Sequence, residues 1–177
     1  MKLVILDRDG TINLDSEDYI KSPAEWTPIK GSLEAIARLI QADYRVAVAT
    51  NQSGIGRGLF DTQALFAIHD KLQRALGQVG GRIDAFFFCP HRADEGCRCR
   101  KPQPGMLIEV ARRFNVAIED VSMVGDSRKD VEAAAAAGAR PVLVLTGNGA
   151  KTQAEGNLPR GTAVHADLAA FARQLAP

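Results

Sequence analysis

The sequence predicts an α/β fold in which a mostly parallel sheet is joined by crossover helices. Apolar runs of strand length alternate along the chain with segments of helical spacing, and several of the runs end in polar turns that carry acids, amides or hydroxyls. The first run, Lys2 to Leu6, opens the chain. Strands are expected next at Tyr44 to Thr50, Ile83 to Phe88, Val121 to Gly125 and Pro141 to Thr146. Between the first two, Ser32 to Ala42 places Leu33, Ile36, Ala37 and Ile40 at helical intervals, with Ser32 as its N-cap. Asp61 caps a longer helix whose stripe is Leu65, Ile68, Leu72 and Leu76. Pro104 suits the first turn of a helix carrying Leu107, Ile108, Ala111 and Phe114. The alanine-rich stretch Val131 to Ala137 ends at Gly138, and Ala166 to Leu175 closes the fold. Asn13 to Lys30 and Ala150 to Gly161 read as irregular loops.

The chain has 177 residues and is 46% hydrophobic, enough for one domain over 1–177 with a well-buried core. The formal charge of +1 supplies no field that would favour nucleic acid or an anionic membrane. The N-terminal apolar stretch is too short for a signal peptide, and no run approaches the roughly 20 residues of a membrane span. The expectation is a cytoplasmic monomer with a small-molecule substrate.

Asp7-Arg8-Asp9-Gly10-Thr11 directly follows the first apolar run. Ligands in open α/β sheets gather beyond the carboxyl ends of strands. Two carboxylates turned into one cavity repel unless a cation or proton separates them. The segment is therefore either an acidic turn after a strand or a Mg²⁺ site, with one Asp free to attack and the other to handle protons. Three more polar segments fall near strand ends. Thr50-Asn51-Gln52-Ser53-Gly54 offers a hydroxyl, amides and turn N–H groups to phosphoryl oxygens. Lys101 either neutralises charge on a transferring phosphoryl group or forms a solvated basic pair with Arg100. In Gly125-Asp126-Ser127-Arg128-Lys129-Asp130, Asp126 either completes the Mg²⁺ site with support from Asp130 or caps the next helix.

All three cysteines lie within residues 89–99, as Cys89-Pro90-His91 and Cys97-Arg98-Cys99. Three thiolates and one imidazole make a closed tetrahedral Zn²⁺ set, hence a structural zinc loop. The alternative is unligated thiols in a surface loop. His69, beside Asp70 on a helix, reads as a surface residue, and His165 has no partner motif.

Asp-x-Asp-Gly-Thr, Thr-Asn, Lys and Gly-Asp-x-x-x-Asp, in that order and near strand ends, resemble the haloacid dehalogenase superfamily over nearly the whole chain. The resemblance implies a Rossmann-like three-layer sandwich with the Asp7 strand central and no large cap domain. It implies phosphoryl transfer through an aspartyl-phosphate: Asp7 as nucleophile, Asp9 as acid and then base, and Thr50 and Lys101 as phosphoryl-stabilising groups. Asp7, Asp126 and the backbone carbonyl of Asp9 match the Mg²⁺ ligands. Cys89, His91, Cys97 and Cys99 make the chain similar to the zinc-loop subgroup, whose activities include removal of the C7 phosphate from a heptose 1,7-bisphosphate and hydrolysis of histidinol phosphate. Asn51, Gln52 and Ser53 with Arg57 lean toward the bisphosphate. Arg100 matches the substrate-recognition position, and Asp15 and Asp18 match residues facing sugar hydroxyls. A zinc-stabilised binding module without catalysis is the alternative from another class, and retention of both Asp7 and Asp9 argues against it.

Overall fold

The computed structural model describes residues 1–176. Strands β1 (Lys2–Leu6), β2 (Tyr44–Asn51), β3 (Ala85–Cys89), β4 (Ser122–Gly125), β5 (Arg140–Val144) and β6 (Ala163–His165) form one sheet in the order β3-β2-β1-β4-β5-β6. Every adjacent pair is parallel. β1 is central. The chain builds outward from it in one direction through β2 and β3, then returns to its other side at β4. That reversal opens a crevice between the carboxyl ends of β1 and β4, where this architecture binds ligands.

Helices α1 (Ser32–Gln41), α2 (Ser53–Gly56), α3 (Thr62–Gln78), α4 (Gly105–Phe114), α5 (Arg128–Ala137), α6 (Gly149–Glu155) and α7 (Leu168–Leu175) make the connections. Because alternate strand residues face opposite sides of a sheet, β1 is apolar on both. Val4 and Leu6 join Val46, Val48, Val124 and Val144 in a core closed by residues of α1, α3 and α7. Leu3 and Ile5 join Ala47, Ala49 and Met123 in a second core closed by Leu107 and Val110 of α4 and Ala133 and Ala134 of α5. The result is the expected three-layer sandwich, with no large cap among the described residues. No described helix is long and apolar enough to cross a membrane.

Asp61 caps α3 as expected, its carboxylate accepting from the Ala64 N–H at 2.8 Å. Gly138 ends α5 with φ +82°. Three expectations change. Ser32 is not the N-cap of α1: Gly31 takes that position, and the Ser32 hydroxyl donates to the Ile12 carbonyl at 2.6 Å, pinning the helix to the segment after β1. The loop at 150–161 begins as helix α6, which has no apolar stripe; buried Thr152 holds it by donating to the Asp126 carbonyl. β6 was hidden because three residues show no alternation to read. Residues 13–30 contain one 3-10 turn, Pro23–Glu25, and are anchored by buried Ile20 and Trp26.

Candidate active site and metal centres

At the β1–β4 crevice lies a cavity of about 300 Å³, lined by Asp7, Asp9, Thr50, Lys101, Asp126 and Asp130 among others. A hollow of about 710 Å³ between α1 and α7 is larger but lies away from these groups. Size alone does not locate the chemistry.

Asp7 is the first residue beyond β1, and its N–H still bonds to the Val124 carbonyl of β4. Lys101 reaches it from the loop before α4. The buried ammonium lies 2.9 Å from Asp7 Oδ1 and 2.6 Å from Asp130 Oδ1, and it donates to the Ala49 carbonyl at 2.7 Å. Burial alone would lower the Lys101 pKa; Asp130 and then Asp7 outweigh it and raise the pKa above the usual lysine value. Asn51 clamps the Lys101 backbone from both sides, accepting from its N–H at 3.1 Å and donating to its carbonyl at 2.9 Å.

Burial, reinforced by the charge on Asp130, pushes the Asp7 carboxyl well above its ordinary range, although Lys101 opposes the shift. Asp126 is pushed up to about 7, first by burial and then by Asp130. The two possibilities for Asp126 are now separated. Ser127 is the N-cap of α5, and Asp130 accepts from its N–H and hydroxyl. Asp126 instead turns into the cavity, its Oδ2 accepting from the Asn148 N–H at 2.7 Å. Space for that carboxylate comes from Gly10, at φ +79°, and Gly147, at φ +53°: a Cβ on either would overlap Asp126 Oδ2.

Carboxylate oxygens of Asp7, Asp126 and Asp130 lie within 4.8 Å of one another. This buried acidic set has the hard oxygen donors that suit Mg²⁺. Both oxygens of Asp130 are taken, Oδ1 by Lys101 and Oδ2 by Ser127, whereas Asp7 meets Lys101 through Oδ1 and Asp126 meets Asn148 through Oδ2, so each of these two keeps one oxygen that could hold a cation.

Asp9 sits at the cavity wall. Arg8 meets it with a fork, Nε to Oδ1 at 2.9 Å and Nη2 to Oδ2 at 3.1 Å. Asn13 donates to Oδ1 and Gln52 to Oδ2, each at 2.9 Å. Gln52 also donates to the hydroxyl of Thr50, so it links two residues of the cavity that it lines itself. Asp15, Ser53 and Arg100 line the cavity. Asp18 and Arg57 are exposed and do not line it.

The second cluster has the dimensions of a metal cage. Sγ of Cys89 lies 3.3 Å from that of Cys99 and 3.6 Å from that of Cys97; Cys97 and Cys99 are also 3.6 Å apart. His91 Nδ1 is 3.5 Å from Cys89 Sγ and 3.4 Å from Cys99 Sγ. A tetrahedron with Zn–S bonds of about 2.3 Å has S···S edges near ~3.75 Å. The separations are far beyond a disulfide and close to those edges. Arg100 ties this loop to the catalytic cavity, its Nη1 donating to the His91 carbonyl at 3.3 Å.

Sequence reasoning missed Tyr19, Ser127, Lys129 and Asn148, which also line the cavity. Asn148 had a signal: Thr146-Gly147-Asn148 follows an apolar run just as the other site segments do. His69 is corrected from surface to core. It is 5% exposed, with its ring stacked on Phe86.

A family model described as HAD-hydrolase-like matches residues 98–171. The D-glycero-beta-D-manno-heptose-1,7-bisphosphate 7-phosphatase of Bordetella bronchiseptica is 61% identical over 175 residues, 99% of this chain and 98% of its own. The chain belongs to this phosphatase family. The Pseudomonas putida member is 53% identical and covers 99% of both chains. A crystal structure of D,D-heptose 1,7-bisphosphate phosphatase from B. bronchiseptica, complexed with magnesium and phosphate, matches the fold with a TM-score of 0.97 over 99% of this chain and 98% of that one. The corresponding enzyme from Burkholderia thailandensis matches at 0.80 with 54% identity, over 99% and 98% of the two chains. The present chain is thus a phosphatase of the haloacid dehalogenase superfamily.

Proposed function

We propose that this chain is a Mg²⁺-dependent phosphatase that removes the C7 phosphate of D-glycero-D-manno-heptose 1,7-bisphosphate through a phosphorylated Asp7. Its setting is the cytoplasmic synthesis of nucleotide-activated heptose. The observation that carries the substrate assignment is the match, at 61% identity and a TM-score of 0.97, to the B. bronchiseptica enzyme complexed with magnesium and phosphate.

The chemistry follows from the residues around Asp7. Asp7 Oδ attacks phosphorus as the bond from phosphorus to the sugar oxygen breaks. Asp9 gives its proton to that departing oxygen. Lys101 and the Thr50 hydroxyl stabilise charge on the equatorial phosphoryl oxygens. Asp9, now a carboxylate, takes a proton from water as the water attacks phosphorus, which releases phosphate and restores Asp7. Asp7 and Asp126, with the Asp9 backbone carbonyl, would hold Mg²⁺. When bound, the cation offsets the negative charge of the carboxylates that would otherwise repel an incoming phosphate. Arg100 faces the outer part of the substrate, where a guanidinium suits the second phosphate.

Cys89, His91, Cys97 and Cys99 would hold a structural Zn²⁺, with no ligand position left for substrate. The cage fixes the loop from which Arg100 and Lys101 emerge. Asp7→Asn tests the reaction: turnover should fall by about 10³-fold or more with the fold retained, since an amide cannot replace the nucleophile.

A further inference from the structure

Arg8 plays no part in the reaction as written, yet its charge is completely enclosed. Enclosing a guanidinium costs several kcal/mol unless it is well paired. Its pairing is specific. Nε and Nη2 grip the two oxygens of Asp9, the next residue in the chain. The remaining nitrogen, Nη1, lies 3.4 Å from Nε2 of His69. A guanidinium can only donate, so Nε2 carries the lone pair and His69 is neutral, with its proton on Nδ1. His69 is fixed in turn: its ring lies on that of Phe86, with centroids 4.2 Å apart and planes 12° apart. A packed path therefore runs from β3 through α3 to the segment beyond β1, and ends on the carboxyl of Asp9.

The donors around Asp9 differ in kind. Two come from the charged fork; the other two are the neutral amides of Asn13 and Gln52. Four donors fill the lone-pair positions of a carboxylate. Asp9 can exchange a proton with substrate only if one donor lets go. The neutral amides are the weaker partners. The fork is retained and keeps the carboxyl plane aimed.

We propose that Arg8, locked by His69, is the positioning residue that aims Asp9 at the leaving oxygen. The proposal rests on Asp9 being the acid of the reaction above. It needs no particular sugar.

The test compares kcat/KM on two phosphate esters. One is heptose 1,7-bisphosphate or any primary sugar phosphate the wild type cleaves, whose alkoxide needs a proton to depart. The other is p-nitrophenyl phosphate, whose nitrophenolate departs without one. kcat/KM spans the steps up to phosphorylation of Asp7, so the later attack of water does not enter. His69→Phe keeps the ring on Phe86 and removes the acceptor. It should lower kcat/KM for the sugar phosphate about tenfold or more, within the ~10²–10⁴ that a general acid supplies, while p-nitrophenyl phosphate changes less than about twofold. His69→Gln, which restores an acceptor, should recover most of the loss. Arg8→Lys keeps the charge but loses the fork and should show the same ester selectivity. Melting temperatures identify any variant that fails to fold, and the remaining variants then decide.

Equal losses on both esters, or an unchanged ratio in a folded variant, overturns the proposal. A wild type that cleaves a sugar monophosphate but not the bisphosphate overturns the substrate assignment and leaves this comparison standing.

Discussion

Lys101 Nζ lies 2.9 Å from Asp7 Oδ1, with both groups buried and Asp130 closing the triad at 2.6 Å. The expected nucleophile is therefore delivered already paired with the cation that would stabilise the phosphoryl group. Removing the cation leaves two buried carboxylates without it. Lys101→Met should abolish measurable turnover and destabilise the protein by about 3–5 kcal/mol at pH 7.5. The stability cost should shrink at pH 5, because the raised pKa of Asp7 lets that group take up a proton instead. Denaturant titrations at the two pH values measure both parts.

The raised carboxyls also set a pH dependence. Asp126 moves from an ordinary 3.8 to about 7 in the fold, so the folded state holds its proton more tightly than the unfolded chain. Stability of the Mg²⁺-free protein should thus fall as pH rises from about 4 to about 7. Mg²⁺ binds the deprotonated form and should recover that loss. The gain in melting temperature on adding Mg²⁺ should be larger at pH 7.5 than at pH 5. The comparison should be made in Mg²⁺-free buffer without chelator, so that a zinc centre is left alone.

Gly10 gives a purely steric prediction. At φ +79° a side chain costs about 1–2 kcal/mol, and here its Cβ would also overlap the Asp126 carboxylate. Gly10→Ala should reduce Mg²⁺ affinity as well as stability. The check is Mg²⁺ titration of the phosphatase rate; an unchanged half-saturation in a folded variant would count against Asp126 as a ligand.

If Cys89, His91, Cys97 and Cys99 hold zinc as proposed, protein purified without chelator should carry one equivalent of it. Cys97→Ser should lower that content, the melting temperature and the phosphatase rate together, because the same loop carries Arg100 and Lys101. Elemental analysis with thiol titration decides: freely reactive thiols and no zinc in the wild type would refute it.

Much of this site could be read from the sequence for a physical reason. Asp7 and Asp126 each follow a strand buried on both faces, and Thr50 lies at the carboxyl end of another, so the apolar runs mark where the sheet ends and the polar site segments begin. Cys89, His91, Cys97 and Cys99 were legible as a cluster because side chains on one short loop stay close in sequence. Long-range partners were not legible. Asn148 reaches Asp126 across 22 residues, and Arg8 meets His69 across 61. His69 did carry a hint: it stands four residues after Leu65 and three before Leu72, inside the buried stripe of α3. Its polar side chain argued for the surface, and only the folded chain shows what it touches. α6 was missed because buried Thr152, rather than an apolar face, holds it.

Arg100 lines the cavity at Asp7 and a second cleft beside Arg98 and Lys129, which suits the role proposed for it at the outer phosphate. Arg100→Ala should cost about ten- to a hundredfold in kcat/KM for the bisphosphate, the worth of one charge-assisted contact, and much less for a small monoester. Parallel steady-state assays on the two substrates measure the difference.

The most direct measurement is phosphate release by the purified wild type, with and without Mg²⁺, from heptose 1,7-bisphosphate and from histidinol phosphate. The account predicts Mg²⁺-dependent release of one phosphate per bisphosphate, with a higher kcat/KM than for histidinol phosphate. Preference for histidinol phosphate would contradict the substrate, and full activity without Mg²⁺ would contradict the metal-assisted aspartyl-phosphate chemistry.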